Sequence, residues 1–168
     1  MRKYGVVLAL AVSSVVVFVA SASAISSPQV FNLLDVSQDV EQPIGGFTFD
    51  RPPVGGDQFA IYDKLYKWAG TKKGAPAGRV VGLGTFQTGF GENFSHKATV
   101  LFVAQAYLQG GTVLVQGYGQ SNPNGPSTFT LPVIGGTGKY ENVRGYVVVR
   151  DLGNGDTSKS NVEFHLLP

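Results

Sequence analysis

The feature that most constrains this chain is its punctuation. From Val30 to the C-terminus, short runs rich in Val, Ile, Thr, Tyr and Phe are broken at close intervals by Gly, Pro and Asn. β-Branched and aromatic side chains suit a pleated, half-buried strand, while Gly, Pro and Asn suit the turns between strands. The 168 residues include 23 Gly and 9 Pro, and no long stretch after the N-terminal leader keeps a helical 3.6-residue period. The runs predict eight strands, near residues 30–39, 58–68, 79–88, 97–108, 112–118, 128–134, 144–152 and 160–167. Gly110-Gly111 supplies a tight hairpin link, and Asn154-Gly155 a turn with positive φ. The cluster Asn122-Pro123-Asn124-Gly125-Pro126 interrupts pairing, and Gly135 to Tyr140 has room for at most one helical turn.

Residues 1–24 read as a leader rather than as part of the fold. Arg2 and Lys3 open it, an apolar run follows from Val6 to Ala22, and Ala22-Ser23-Ala24 forms a small-x-small cleavage pattern. The run is about 17 residues, short of the roughly 20 needed to span a bilayer. The expectation is a secreted or periplasmic protein, away from the membrane once residues 1–24 are removed, with one domain over 25–168. Arg2 and Lys3 are the only charged residues in the leader, so the remainder carries equal numbers of acids and bases. With no basic excess or basic cluster, nucleic-acid binding has no electrostatic basis.

Composition narrows the chemistry further. With no Cys and only two His, the chain offers no thiolate metal site, cysteine nucleophile or spaced metal pair, so no metal or cofactor is expected. Gly135-Gly136-Thr137-Gly138-Lys139 resembles a phosphate loop superficially, but Tyr140 follows where Ser or Thr is required. Charged residues make up only 14% of the chain. Several strands are apolar on both faces: Val100, Phe102, Ala104 and Leu108 alternate with Leu101, Val103 and Tyr107. A sheet covered on both sides fits this pattern: an eight-stranded antiparallel β-barrel whose outside also packs, which points to self-association.

The informative polar residues are acids on apolar faces. Asp35 shares its strand face with Phe31 and Leu33, with Ser37 and Asp39 following; Asp63 shares its own with Phe59, Ile61 and Leu65. If these faces point inward, each carboxyl is desolvated and is a general acid/base candidate. The alternative is structural: Asp63 would then accept backbone hydrogens at a barrel rim or pair with Arg79 or Arg144. Arg144 and Arg150 share a face with Tyr146 and Val148, where an arginine holds either a ligand or an internal Asp. Tyr62, Tyr66, Trp68, Phe86, Phe102, Tyr107 and Tyr118 supply aromatic lining or core. Lys64, Lys67, Lys72 and Lys73 surround an expected exposed loop, and the Gly/Pro-rich stretch 43–56 either covers a barrel mouth or is disordered filler.

These residues also carry a family resemblance. Leu131 to Tyr140, followed by Val143-Arg144-Gly145-Tyr146, resembles the signature of the plant dirigent proteins; Gly78-Arg79-Val80-Val81-Gly82 is similar to their earlier glycine-arginine motif. Phe31 through Val36 resembles the first-strand segment that ends in an aspartate, and Asp63-Lys64-Leu65-Tyr66 the Asn-Lys-Leu-Tyr motif of the related allene oxide cyclases. The resemblance implies an eight-stranded barrel, a trimer, and steering of coupling or cyclisation of a small apolar or phenolic ligand without an oxidant of its own. It places Asp35 where the cyclases carry a pocket glutamate, Ser37 and Asp63 where they carry asparagines, and Arg144 at a family arginine. Asp35, Asp63 and Arg144 are the expected catalytic residues, and Ser37, Tyr62, Phe102 and Tyr146 the expected ligand contacts. A non-catalytic carrier and a filled structural barrel are the competing expectations.

Overall fold

In the computed structural model, residues 24–37, 42–46, 48, 50–70, 72–153 and 159–168 are described. The leader expected over 1–24, apart from Ala24, lies outside them, as do Asp39 and the Asn154-Gly155 turn. Among the described residues the chain forms β1 (Gln29–Ser37), β2 (Gln42–Ile44), β3 (Gln58–Ala69), β4 (Lys72–Phe86), β5 (Ala98–Leu108), β6 (Gly111–Ser121), β7 (Thr128–Gly138), β8 (Arg144–Asp151) and β9 (Lys159–Leu167). Each strand from β3 to β9 pairs antiparallel with the next. β1 closes the ring, meeting β9 on one edge (Phe31 opposite Phe164) and β3 on the other (Asp35 opposite Leu65). The expected eight-stranded antiparallel barrel is therefore present. The short β2, from the Gly/Pro-rich stretch, continues the line of β1 along the β3 edge, with Pro43 opposite Phe59.

Two segments differ from expectation. The lysine-rich stretch is not a loop: β3 runs on to Ala69 and β4 begins at Lys72, with Trp68 opposite Lys73. Lys64, Lys67, Lys72 and Lys73 are exposed on this ribbon, whose outer end needs no apolar face. Likewise Gly135–Gly138 stays in β7, paired with Gly111–Leu114, instead of forming a helical turn. Thr137 is the segment's one side chain, its hydroxyl 2.7 Å from that of Thr112 across the pair, and the backbone ladder supplies the rest. Gly138 ends it at φ +61°, and a Cβ would sit 2.4 Å from the Gly110 carbonyl oxygen, so glycine is required.

Strand alternation divides the interior into two packed regions. Leu33, Leu65, Val113, Val143, Phe164 and Leu166 fill one end, which Ile25 seals by donating its N–H to the Lys139 carbonyl at 3.1 Å. Phe59, Phe86, Phe90, Ala98 and Val100 form a second cluster toward the opposite end. Gly84 faces inward directly opposite Phe59, and a Cβ there would come within 2.2 Å of the ring. Gly84→Ala is thus expected to overpack the barrel and lower stability by about 1–3 kcal/mol. An unchanged urea midpoint would show that the Phe59 ring moves aside freely.

Candidate functional site

Between the two clusters the barrel encloses a cavity of about 820 Å³. Ala106, Leu131 and Phe164 lie deep in it, and at its mouth Pro53 and Asn122 belong to loops and Phe94 to the short 3-10 helix Glu92–Phe94. Pro53 is held there by its carbonyl, which accepts the Phe90 N–H at 3.3 Å. Part of the 43–56 stretch therefore does border the mouth. The 820 Å³ opening is large for a barrel this size, whose interior otherwise fills with side chains or holds one small ligand.

One wall is a phenylalanine ladder. Phe129 and Phe102 stack face to face with centroids 4.8 Å apart. Phe59 meets Phe102 edge-on at 6.4 Å and Phe86 at 5.4 Å, and Phe86 continues to Phe90 at 5.7 Å. The inward faces of β3, β4, β5 and β7 deliver Phe59, Phe86, Phe102 and Phe129 on alternate residues of their strands, while Phe90 comes from the segment after β4. Gly119 leaves the space: a Cβ would lie 2.8 Å from Phe129 and 2.9 Å from Phe102.

The other wall, from β1, β3, β8 and β9, is acidic. Asp35, Asp63 and Asp151 all border the cavity with Ser37 and Ser160. Asp151 is held firmly: Oδ2 accepts the Ser127 N–H at 2.9 Å and Oδ1 accepts the Ser160 hydroxyl at 3.1 Å. Ser37, directly across from Asp63, donates its hydroxyl to that carboxyl. Asp35 is served less well, since its buried Oδ1 has no hydrogen-bond partner.

Burial raises the Asp35 pKa well above 3.8, the negative charges of Asp63 and Asp151 push it the same way, and a hydrogen bond from the Val36 N–H opposes them. Burial also raises Asp63, against the Ser37 hydrogen bond. Both carboxyls thus hold protons more tightly folded than unfolded. Stability falls as pH rises from the ordinary value of 3.8 through their raised values. The loss is about 1.4 kcal/mol per pH unit for each group protonated only in the folded chain. Asp57, lowered by its hydrogen bond from Arg51, and Glu163, lowered by those from Arg150 and His165, act oppositely and only in acid. Denaturation free energies should therefore decline as pH rises above the ordinary carboxyl value, and Asp35→Asn should flatten the decline. A flat wild-type profile would contradict this burial of the acids.

The expected site residues separate into two groups. Asp35, Asp63, Ser37 and Phe102 come together around the cavity. Arg144, Tyr62 and Tyr146 do not, and expectation is corrected there. On β8 the inward residues are Val147, Val149 and Asp151, which turns Arg144, Tyr146 and Arg150 outward. Tyr146 is 43% exposed and stacks on His165 at 4.4 Å. Arg150 instead joins Glu163 at 2.5 Å, and Tyr62 is 54% exposed on the outside of β3. Arg79 also faces outward, 4.6 Å over the Tyr107 ring, so no described arginine pairs with an internal Asp. Asp151, Phe59 and Phe129 are the additional cavity residues; Asp151 repeats the signal of Asp35, an acid in line with Val147 and Val149.

This combination defines the class: a closed antiparallel barrel with an acidic, phenylalanine-lined interior. The family profile described as Dirigent-like protein matches residues 13–167, and the chain belongs to that family. Among solved structures, the pyocyanin demethylase superimposes with a TM-score of 0.60 at 18% identity, covering 83% of this chain and all of the other. AbnU, an exo-specific intermolecular Diels-Alderase, gives 0.61 at 15% identity over 83% and 96% of the two chains. A pterocarpan synthase dirigent protein gives 0.59 at 16% identity over 83% and 87%. At these identities the likeness is one of fold. No curated protein matches the sequence.

Proposed function

We propose that this protein is a secreted dirigent-like barrel that binds one small apolar or phenolic ligand in its cavity and steers its cyclisation or coupling. The observation that carries the reading is the Asp35 carboxyl, with its unpartnered buried Oδ1, facing a cavity whose opposite wall is phenylalanine. Such a wall holds a reactive ligand in one conformer, so that geometry rather than strong chemistry selects the product. Asp35, whose pKa burial raises well above the ordinary carboxyl value, serves as proton donor or hydrogen-bond donor to an oxygen that gains charge. Asp63 and Ser37 orient the ligand's polar end. Membership in the dirigent-like family supports this, as do structural neighbours named as a Diels-Alderase, a pterocarpan synthase and a [4 + 2] cyclase.

The proposal includes a homotrimer. Val81, Val103 and Tyr118 stand on the outer faces of β4, β5 and β6, exposed by 37%, 42% and 62%. Secretion rests on the leader composition; among the described residues no helix is long and apolar enough to cross a membrane.

Native mass spectrometry of residues 25–168, after incubation with apolar and phenolic extracts of the source organism, tests the reading. A trimer that retains one defined small molecule per chain and releases it in altered form is the expected result. Release of the molecule unaltered would make the barrel a carrier, and an empty protein would contradict the ligand site.

A further inference from the structure

We infer that the ligand presents a cationic nitrogen on a flat aromatic body, with the positive charge seated among Asp35, Asp63 and Asp151 and the rings lying on the phenylalanine wall. The inference rests on the reading of the cavity as a ligand site and narrows what enters it.

The charge inventory is one-sided. Three carboxyl groups line the cavity, and no Lys, Arg or His stands among its described lining residues. The basic side chains on neighbouring strands turn away: Arg79 lies on Tyr107, Arg150 binds Glu163, and Lys64 is exposed. A buried acceptor without a donor is costly, and Asp35 Oδ1 is one. A neutral donor in the cavity would meet one carboxyl, whereas a cation also offsets the negative charge that Asp63 and Asp151 place on Asp35. An anionic ligand would meet acids alone, at a like-charge cost.

The opposite wall favours the same occupant. Aromatic faces attract a cation within about 6 Å, more strongly where water is excluded. The stacked Phe102 and Phe129 rings also present a flat surface for a planar ligand. Seating a cation favours the ionised form of Asp35, so binding releases a proton and tightens as pH rises. The titratable groups that face Asp35 are Asp63 from β3 and Asp151 from β8; the β9 residue beside it is the neutral Ser160.

Fluorescence titration of the protein with three matched probes tests this: N-methylacridinium, neutral acridine and acridine-9-carboxylate at pH 8, with neutral Nile red as a reference for the cavity itself. N-methylacridinium is expected to bind at least about tenfold more tightly than acridine, and the carboxylate most weakly. In Asp35→Asn the cation-to-neutral affinity ratio should fall, leaving only the preference that Asp63 and Asp151 supply. Equal binding of cation and neutral probe, or a ratio unchanged by Asp35→Asn, overturns the cationic assignment while the cavity reading stands. Binding of Nile red without N-methylacridinium does the same. Binding of no probe at all, Nile red included, overturns both.

Discussion

Asp35→Asn is expected to abolish steering, lowering the rate or the stereochemical excess of the catalysed reaction at least about 100-fold. Asparagine keeps the shape and the hydrogen-bonding reach of the side chain. It lacks the proton that a neutral carboxyl lends and the charge that an ionised one carries. The same substitution should stabilise the barrel at neutral pH, because it removes a carboxyl held in a desolvated place beside Asp63 and Asp151. Opposite movements of activity and stability are the signature of a group kept for function at a structural cost. Unchanged product selectivity in the variant would remove Asp35 from the mechanism. Loss of activity together with loss of the fold would make the residue structural.

Phe59→Ala carries the largest expected loss of stability, about 3–5 kcal/mol. Phe59 is only 3% exposed and joins the rest of the ladder through Phe86 and Phe102. Its ring also covers Gly84, which has no side chain to fill the gap left behind. The void would open into the existing cavity rather than collapse, so ligand retention should fall with stability. Urea denaturation measures this directly, and a loss below about 1 kcal/mol would show that the second cluster, around Phe86 and Phe90, repacks around the vacancy.

Much of the fold was legible because the barrel is a meander. From β3 to β9 each strand pairs with the next, so turn signals fix that order without long-range information. The β5–β6 link is nevertheless Gln109-Gly110, one residue before the expected Gly110-Gly111. What failed was local and has physical reasons. The Lys-rich end of the β3–β4 ribbon carries polar residues in a paired strand, and Gly135–Gly138 pairs through backbone with almost no side chain to announce it.

The site was legible by face but not by direction. The sequence groups Asp35 with Leu33, Asp63 with Phe59, and Arg144 with Tyr146, and all three groupings hold. Only closure of the sheet decides which face of each strand is inside, and one residue of register reverses it. Arg144 and Tyr146 fell on the wrong side for that reason, while Asp151 sat on the face opposite them. Among the aromatic residues Phe59, Phe86, Phe102 and Phe129 face the cavity, Tyr62, Tyr118 and Tyr146 are exposed, and Tyr140 is buried in the packed end.

An accessible ligand site inside the barrel should take up a small probe and lose it when the space is filled. Titration of a neutral apolar fluorescent probe into the wild type and into Ala104→Trp tests it most directly. Ala104 faces the cavity from β5, and an indole there would occupy the space in front of the acidic wall. One probe molecule per wild-type chain, and none in a folded Ala104→Trp variant, is the predicted result. Equal binding by both proteins would place the ligand elsewhere, and contradict the account.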